Sequence, residues 1–365
     1  MGKQKILFLV NHDVVIYNFR RELVERLLEE GYEVYISSPY GERIDDLIEL
    51  GCNYLNVDLN RHGLNVVQEW KLLRYYKQII RDIKPTVVLT YTIKPNIYGG
   101  LACKALGVPY IANITGLGSS VVNGGIMQAV SKVLYKWAFK DVRRIFFQNS
   151  SNQQFFVDNN IAMGKHELLP GSGVNLNQFS SLEYPDDNVT EFVFISRIMR
   201  EKGIGEYLEA AKYIKEKYPN TVFHVLGFSE EDYEEQLRLL HQQEVIQYHG
   251  MQRDIRKYLA VSHCTVHPSY HEGMSNVLLE SAASARPIIT SNINGCKEIV
   301  DENTSGYLVE KGNSQDLIEK IEKFLRLPKK QKESMGLAGR TKMEEEFDRN
   351  IVVDAYVEEI RRMEL

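Results

Sequence analysis

Short apolar runs alternate along this chain with segments of helical spacing, and the alternation occurs in two successive blocks. Strands separated by helices are typical of a parallel sheet covered by helices on both faces, so each block predicts a doubly wound α/β arrangement. The second block begins at residue 192. The predicted strands of the first block are residues 6–10, 34–37, 87–89, 110–112, 145–147 and 168–169.

A polar, proline-containing stretch separates the two blocks. With 365 residues, the chain is long enough for two domains that each have a full core. We therefore predict an N-terminal domain over residues 1–180, a linker over 181–190 and a C-terminal domain over 191–345. Residues 346–365 have the spacing of one further helix.

The composition is that of an ordinary globular protein, with 44% hydrophobic and 25% charged residues. No apolar run approaches the ~20 residues that cross a bilayer, and the chain enters its first strand without a signal peptide, so we expect a cytoplasmic location. Four isolated cysteines predict reduced packing residues. Because no Asp-x-Asp pair is present to hold a divalent metal against a diphosphate, we expect no metal and no other cofactor.

The two halves of the chain differ in charge. The whole chain carries −5, but the first 180 residues are net positive and the remainder is strongly negative. Two predicted helices, residues 69–84 and 126–144, hold much of the basic charge. Such helices fit either a solvated face or a peripheral contact with anionic lipid at the inner face of the cell membrane, and we expect no nucleic-acid partner. Their basic residues are Lys71, Arg74, Lys77, Arg81, Lys84, Lys132, Lys136, Lys140, Arg143 and Arg144.

One segment of the second block combines a strand end, a turn and a helix start. Residues 264–267 predict a buried strand, which Pro268 ends because proline lacks the ladder donor. Gly273 allows the backbone to approach a ligand closely, and Ser275 is a natural N-cap. A helix over residues 276–285 should follow.

Two glutamates flank this helix start, Glu272 before the turn and Glu280 in the second helical turn. The N–H groups and the positive dipole end of a helix N-terminus favour a diphosphate. Glu272 is then placed to accept hydrogen bonds from sugar hydroxyls, and Glu280 to reach a ribose. Taken alone, both glutamates are also compatible with charges on a solvated surface.

Two cations lie at another junction of strand and helix. A buried strand over residues 192–195 precedes Arg197 and Lys202, and a helix is predicted over 206–218. Open α/β sheets bind ligands at the carboxyl ends of their strands, where cations neutralise a leaving diphosphate. Either cation alone is an ordinary surface residue, but together with the two glutamates they indicate a nucleotide-activated sugar.

In this order and spacing, the two elements resemble glycosyltransferase family 4, the retaining nucleotide-sugar transferases of the GT-B fold. The resemblance covers about residues 190–345 and includes Gly295 and Glu298. It implies an α/β protein with two Rossmann-like doubly wound domains that face each other across a cleft. It also implies that the final helix crosses back onto the N-terminal domain.

Carried over residue by residue, the resemblance implies catalytic donor contacts for three side chains. Arg197 and Lys202 bind the diphosphate and stabilise its growing charge, and Glu272 orients the donor sugar. Further donor contacts are implied for Gly273, Met274, Ser275, Asn276 and Val277 along the sugar and phosphates, for Glu280 on the ribose, and for Met251 and Arg253 near the base.

Three loops of the N-terminal domain follow predicted strands at the edge where an acceptor should bind. The first loop lacks a Gly-x-Gly-x-x-Gly fingerprint, which argues against a dinucleotide site. The loop motifs resemble family members that extend glycans on undecaprenyl diphosphate, among them undecaprenyl-diphospho-bacillosamine N-acetylgalactosaminyltransferases and capsule enzymes. The candidate acceptor residues are His12, Asp13, Tyr17, Lys94, Asn96, Thr115, Gly116 and Gly118.

One position departs from the family pattern. Many members have a histidine directly before the glycine of the third loop, and here this residue is Thr115. His12 and Asn113 are candidates to replace it. A front-face mechanism, in which the leaving phosphate takes the acceptor proton, needs no protein base.

The resemblance implies transfer of a hexose or N-acetylhexosamine, most commonly from UDP, to a lipid-linked glycan precursor in surface polysaccharide synthesis, without a metal. Two other functions fit the same scaffold. One is a sugar-nucleotide epimerase or phosphorylase, which acceptor-independent turnover or phosphate-dependent release would identify. The other is a non-catalytic scaffold of a polysaccharide assembly complex, which would have lost nucleotide binding.

Overall fold

The computed structural model describes residues 3–57, 66–116, 125–186 and 188–363. The chain divides into two units, Met1–Ser172 with Asn350–Leu365, and Gly173–Arg349. The first unit is built on a seven-stranded sheet with the order β3-β2-β1-β4-β5-β6-β7, in which all neighbours are parallel. Its strands are β1 Lys5–Leu9, β2 Glu33–Ser38, β3 Asn53–Asn56, β4 Val87–Tyr91, β5 Tyr110–Ile114, β6 Arg144–Phe147 and β7 His166–Leu168.

The second unit contains a six-stranded parallel sheet with the order β10-β9-β8-β11-β12-β13. Two doubly wound sheets confirm the predicted fold class. The strands are β8 Thr190–Ile195, β9 Thr221–Leu226, β10 Gln247–Tyr248, β11 Cys264–His267, β12 Ile288–Ser291 and β13 Gly306–Val309.

Helices connect the strands of both sheets. In the first unit they are α1 Asp13–Phe19, α2 Arg21–Glu29, α3 Ile44–Glu49, α4 Val66–Ile83, a π-helical turn Pro95–Gly99, α5 Gly100–Leu106, α6 Gly125–Ala138 and α7 Ser150–Asp158. In the second they are α8 Ile204–Lys217, α9 Glu234–Gln242, α10 Arg256–Val261, α11 Asn276–Ala283, α12 Ser314–Leu325 and α13 Lys329–Glu346. The last helix, α14 Arg349–Arg361, belongs to the first unit from residue 350 on.

Each face of the first sheet has its own hydrophobic core. Leu7 and Leu9 of β1 belong to the core shared with α4, α5 and α6, whereas Ile6 and Phe8 belong to the core shared with α1, α2, α3 and α14. Successive side chains of a strand point to opposite faces, so a strand buried on both sides is apolar throughout. This is why the strands stand out in the sequence as continuous apolar runs.

The boundary between the units lies at Ser172 and Gly173, earlier than the predicted boundary at residue 180. The predicted linker is part of the second unit, because the buried Arg286 donates to the carbonyls of Leu182 and Glu183 at 3.3 and 2.7 Å. The hydroxyl of Tyr184, also buried, donates to a backbone carbonyl at 3.0 Å. Hydrogen bonds to main-chain carbonyls cannot be recognised from composition, so the prediction of a linker from this polar stretch is wrong.

Two other details differ from the sequence predictions. β3 was not predicted, since it is a short polar strand at the sheet edge. The predicted helix over residues 126–144 ends at Ala138, and a 3₁₀ turn, Phe139–Asp141, leads into β6. Arg143 and Arg144 are therefore not part of the basic helix. Within the described ranges, no helix is long and apolar enough to cross a membrane.

Candidate active site

The loops that follow β8 and β11 pack against each other at the carboxyl edge of the second sheet. Gly203 has a φ of 74°, and a Cβ there would lie 2.1 Å from the carbonyl oxygen of Pro268, so any side chain would force the loops apart. A backbone hydrogen bond of 2.8 Å also joins the two loops. These contacts hold Lys202 against the loop that carries Glu272.

Glu272 is the centre of this cluster. Its Oε1 lies 2.6 Å from Nζ of Lys202 and 2.9 Å from Nε2 of His267, and its Oε2 has no hydrogen-bond partner in the described part of the chain. Burial is the largest influence and raises the pKa of Glu272, but the hydrogen bonds and charges of His267 and Lys202 together outweigh it and lower the pKa to about 2. Glu272 is therefore a carboxylate with one anchored oxygen and one oxygen able to accept from a sugar hydroxyl.

The N-terminus of α11 follows directly. Ser275 occupies the predicted N-cap position, but its side chain makes no capping hydrogen bond, and its N–H donates to the carbonyl of Gly295 at 2.9 Å. Gly295 can come this close because it has no side chain: a Cβ on it would lie 2.7 Å from the carbonyl oxygen of Gly273. The N–H groups of Asn276 and Val277 have no acceptor among the described residues. Together with the helix dipole, they provide a place for an anion.

Glu280 lies in the second turn of α11, and its pKa is shifted in the opposite direction to that of Glu272. It is partly buried, and its side chain makes no hydrogen bond with any residue of the described ranges. Burial raises the pKa of Glu280 to about 7, against the opposing charge of Arg349. The two glutamates of one motif therefore have different charge states near neutral pH. Met274, between them, is buried in the hydrophobic core, so only its backbone is available to a ligand.

Arg197 lies apart from this cluster. Its Nη1 pairs with Oε2 of Glu230 at 2.8 Å, and 51% of its side chain is exposed. An exposed ion pair of this kind contributes only about 0–1 kcal/mol, so exchanging Glu230 for another anion costs Arg197 little. In the turn after β10, Met251 is 66% exposed and Arg253 is also on the surface, in agreement with a turn that is open to a base.

The first loop of the N-terminal unit uses most of its polar groups internally. Nδ1 of His12 is 2.5 Å from Oδ1 of Asp13, and Oδ2 of Asp13 accepts from the backbone N–H of Arg43 at 2.7 Å. Asp13 is 1% exposed and packs so closely on Gly41 that a Cβ there would lie 2.3 Å from Oδ1. The guanidinium of Arg43 covers the ring of Tyr17 at 3.6 Å. His12 is still about one-third exposed, with 35% of its side chain accessible.

The polar side chains of the second loop are also paired within the first unit. Nζ of Lys94 pairs with Oε1 of Glu69 at 2.7 Å, and both side chains are largely buried. Asn96 is 1% exposed, with its Oδ1 accepting from Thr90 at 2.6 Å and its Nδ2 donating to the carbonyl of Asn113 at 2.8 Å. Asn113 is itself buried and donates back to Thr90. The two asparagines join β4 to β5, which leaves His12 as the exposed candidate for the missing family histidine.

Thr115 and Gly116 follow β5 and are partly buried. Gly118, the remaining candidate of the third loop, lies outside the described residues. Two site residues were not predicted from the sequence. His267 had a signal, since a histidine at the end of an apolar strand lies five positions before Glu272. Glu230 had none, because its partner Arg197 is 33 positions away.

Comparison with known proteins agrees with this geometry. The description "Glycosyl transferase 4-like" matches residues 5–149, and "Glycosyl transferases group 1" matches residues 177–342. Among solved structures, a glycosyltransferase from Rickettsia africae has a TM-score of 0.82 at 20% identity, with 100% of this chain and 99% of that chain covered. Anabaena HepE, solved in complex with UDP and glucose, has a TM-score of 0.80 at 16% identity, covering 98% and 100%.

Two curated relatives are similar over almost their whole length. The N,N'-diacetylbacillosaminyl-diphospho-undecaprenol alpha-1,3-N-acetylgalactosaminyltransferase of Campylobacter jejuni is 27% identical, with 97% of each chain covered. The capsular polysaccharide biosynthesis glycosyltransferase CapM of Staphylococcus aureus is 26% identical, covering 96% of this chain and 95% of its own. Two doubly wound units, with these glycosyltransferases as structural neighbours, define the GT-B fold. The chain is a glycosyltransferase, and its two units match the 4-like and the group 1 family models.

Proposed function

We propose that the chain transfers a hexose or N-acetylhexosamine from UDP to a glycan carried on undecaprenyl diphosphate, with retention of configuration at the transferred sugar. The observation that carries this proposal is the cluster of Lys202, His267 and Glu272 directly before the N-terminus of α11. It combines an anchored carboxylate for a sugar with a lysine and backbone N–H groups for a diphosphate.

In the proposed reaction, negative charge grows on the leaving diphosphate as its bond to the anomeric carbon breaks. Lys202, Arg197 and the N-terminus of α11 stabilise that charge. Oε2 of Glu272 accepts a hydrogen bond from a donor-sugar hydroxyl and orients the ring. The acceptor oxygen bonds to the anomeric carbon on the face that the diphosphate leaves, and the departing phosphate oxygen takes the acceptor proton.

The names of relatives support the acceptor and the donor. The Campylobacter relative is named for an undecaprenol diphosphate-linked acceptor. A relative from Escherichia coli, 24% identical over 78% of each chain, is named UDP-Gal:alpha-D-GlcNAc-diphosphoundecaprenol alpha-1,3-galactosyltransferase. That name specifies an alpha-1,3 product, the configuration that retention gives from an α-linked UDP-sugar.

A lipid-linked acceptor requires contact with a membrane surface, and the basic helices of the first unit fit this requirement. α6 exposes Val133 and Trp137 to 65% and 62%, beside Lys136, and Lys140 follows in the next turn. α4 exposes Trp70 to 56%. Aromatic and aliphatic side chains among lysines are the composition of a helix that lies in a bilayer interface. Peripheral attachment at the inner face of the cell membrane follows from this proposal.

The test is a transfer assay with UDP-, GDP- and dTDP-sugars and a short-chain diphosphate-linked acceptor, run with and without excess chelator. We expect UDP-sugar turnover that persists in chelator, because cations and a helix terminus supply the electrostatic stabilisation of a divalent ion. The anomeric configuration of the product is read by NMR. An inverted product, or activity restored only by manganese or magnesium, contradicts the mechanism. Donor breakdown without acceptor identifies an epimerase or phosphorylase instead.

A further inference from the structure

A basic pocket lies at the amino edge of the first sheet, opposite to the edge that carries the acceptor loops. Its volume is about 720 Å³, and it is formed by the segments that lead into β5, β6 and β7 and by the end of α14. Five cationic and two acidic side chains line it. They are Lys104, Arg143, Arg144, Lys165, Arg362, Asp141 and Glu359.

One buried carboxylate organises the guanidinium groups of this pocket. Glu359 is 2% exposed and pairs with Arg143 at 3.5 Å, with Arg144 at 3.1 Å and with Arg362 at 3.3 Å. Arg144 also pairs with Glu167, and Arg362 with Glu358. With Asp141 beside Lys104, the five cations of the pocket face four carboxylates, so one positive charge remains uncompensated. Guanidinium forks held in place by carboxylates match the oxygens of a phosphate.

The two lysines connect this pocket to α6. Nζ of Lys104 donates to the carbonyl of Trp137 at 3.3 Å and lies 5.9 Å from the centroid of its ring. Nζ of Lys165 donates to the carbonyl of Lys140 at 3.2 Å. The exposed Trp137 therefore lies at the rim of the pocket, and Val133 continues the apolar surface one turn earlier. A ligand that fits both features is amphiphilic, with a phosphate beside an apolar part.

We propose that this pocket binds the phosphate headgroup of an anionic phospholipid while Trp137 and Val133 enter the bilayer interface. This proposal rests on the proposed function in one respect: a lipid-linked acceptor is the reason for the enzyme to bind a membrane. α6 runs from the carboxyl edge of the sheet, after β5, to the amino edge, before β6, and its 14 residues span about 20 Å at the usual helical rise. Headgroup contact at one end of α6 would thus lay this helix along the membrane and bring the acceptor loops to its surface.

The experiment compares cosedimentation with vesicles of phosphatidylcholine alone and with added phosphatidylglycerol. The pocket variant is Arg143→Gln with Arg362→Gln, two residues with more than half of their side chains exposed. Its matched control is Lys212→Gln with Lys330→Gln, which removes the same charge from exposed positions of the second unit. Each basic residue near an anionic surface strengthens binding about fivefold, so the pocket variant should bind the phosphatidylglycerol vesicles roughly 20- to 30-fold more weakly than the control.

Two further measurements make the result decisive. Trp137→Ser should also weaken vesicle binding, and calorimetry with glycerol 3-phosphate should show that the free headgroup binds far more weakly than the vesicle. Equal vesicle binding by the pocket variant and its control, at equal Tm, overturns the proposal. Tight binding of glycerol 3-phosphate with no effect of Trp137→Ser also overturns it and identifies a soluble phosphate ester as the ligand. If the parent protein transfers no sugar, the proposed function fails, but the vesicle comparison still decides the role of the pocket.

Discussion

The carboxyl edges of the two sheets use their polar residues in different ways. At the edge of the second sheet, Lys202 and His267 converge on one oxygen of Glu272 and leave the other oxygen available. At the edge of the first sheet, Asn96 and Asp13 are buried and bonded within their own unit. Polar residues at strand ends are therefore available to a ligand in the second unit, whereas in the first unit they stabilise the fold.

The chemistry of the two substrates explains this contrast. A diphosphate presents the same charges in every nucleotide-sugar donor, so short loops with cations and carboxylates at fixed spacing suffice. The glycan of an acceptor has no such constant charge, and in the first unit the polar side chains Asn96 and Asn113 hold β4 and β5 together. The following predictions test this comparison from the largest expected effect to the smallest.

The diphosphate cations should give the largest effect. Arg197→Ala and Lys202→Ala should each lower kcat/KM by roughly 10² or more, because a charge-assisted contact with a developing phosphate charge contributes about 3 kcal/mol. Steady-state kinetics with the UDP-sugar measures this, and Lys212→Ala on the exposed face of α8 is the control. Near-normal turnover in both variants would place the donor elsewhere.

Asn96 should affect stability rather than acceptor recognition. Asn96→Ala leaves the buried hydroxyl of Thr90 with only a long contact of 3.4 Å to the carbonyl of Ile111, and it removes the side-chain donor to the carbonyl of Asn113. These losses should cost about 2–3 kcal/mol in the free energy of unfolding. Urea unfolding measures it, with Asn53→Ala on the exposed edge strand β3 as the control. A raised acceptor KM at unchanged stability would return Asn96 to the acceptor site and remove the contrast between the two edges.

Glu280 should make stability depend on pH. Its folded pKa of about 7 lies above the ordinary value of a glutamate, so ionisation opposes folding, and this penalty is absent below the unfolded pKa and complete above about pH 7. Glu280→Gln should therefore stabilise the protein by about 1–3 kcal/mol more at pH 8 than at pH 4. Thermal and urea unfolding across this range measure the difference. A pH-independent difference between variant and parent would show that Glu280 is solvated like an ordinary surface carboxylate.

The substitution of His12 should have the smallest effect on the rate of sugar transfer. If the leaving phosphate takes the acceptor proton, His12→Asn lowers kcat by less than about tenfold, whereas a general base contributes about 10²–10⁴. Single-turnover rates with saturating acceptor separate these cases. A hundredfold loss at unchanged Tm would make His12 the functional substitute for the histidine that Thr115 replaces.

The sequence by itself determined the two doubly wound sheets and the donor-side motif. Both signals are local: a strand buried on two faces is apolar along its whole length, and the residues that we propose to bind a diphosphate lie within a few positions of a strand end. For the same reason, Gly273 could be predicted as a site of close backbone approach, whereas the close approach of Gly203 to Pro268 was found only in the structure.

Only the tertiary structure decided which polar groups are free and which are already used. The partner of Arg197 is Glu230, and the carbonyls of residues 182 and 183 are bound by Arg286 more than a hundred positions later. Contact partners likewise separate Glu280 from Glu272, although both belong to one motif: burial raises the pKa of both carboxyls, but only Glu272 has His267 and Lys202 beside it to lower its pKa. Hydrogen-bond partners and solvent exposure depend on segments that meet only after folding, so no spacing along the chain encodes them.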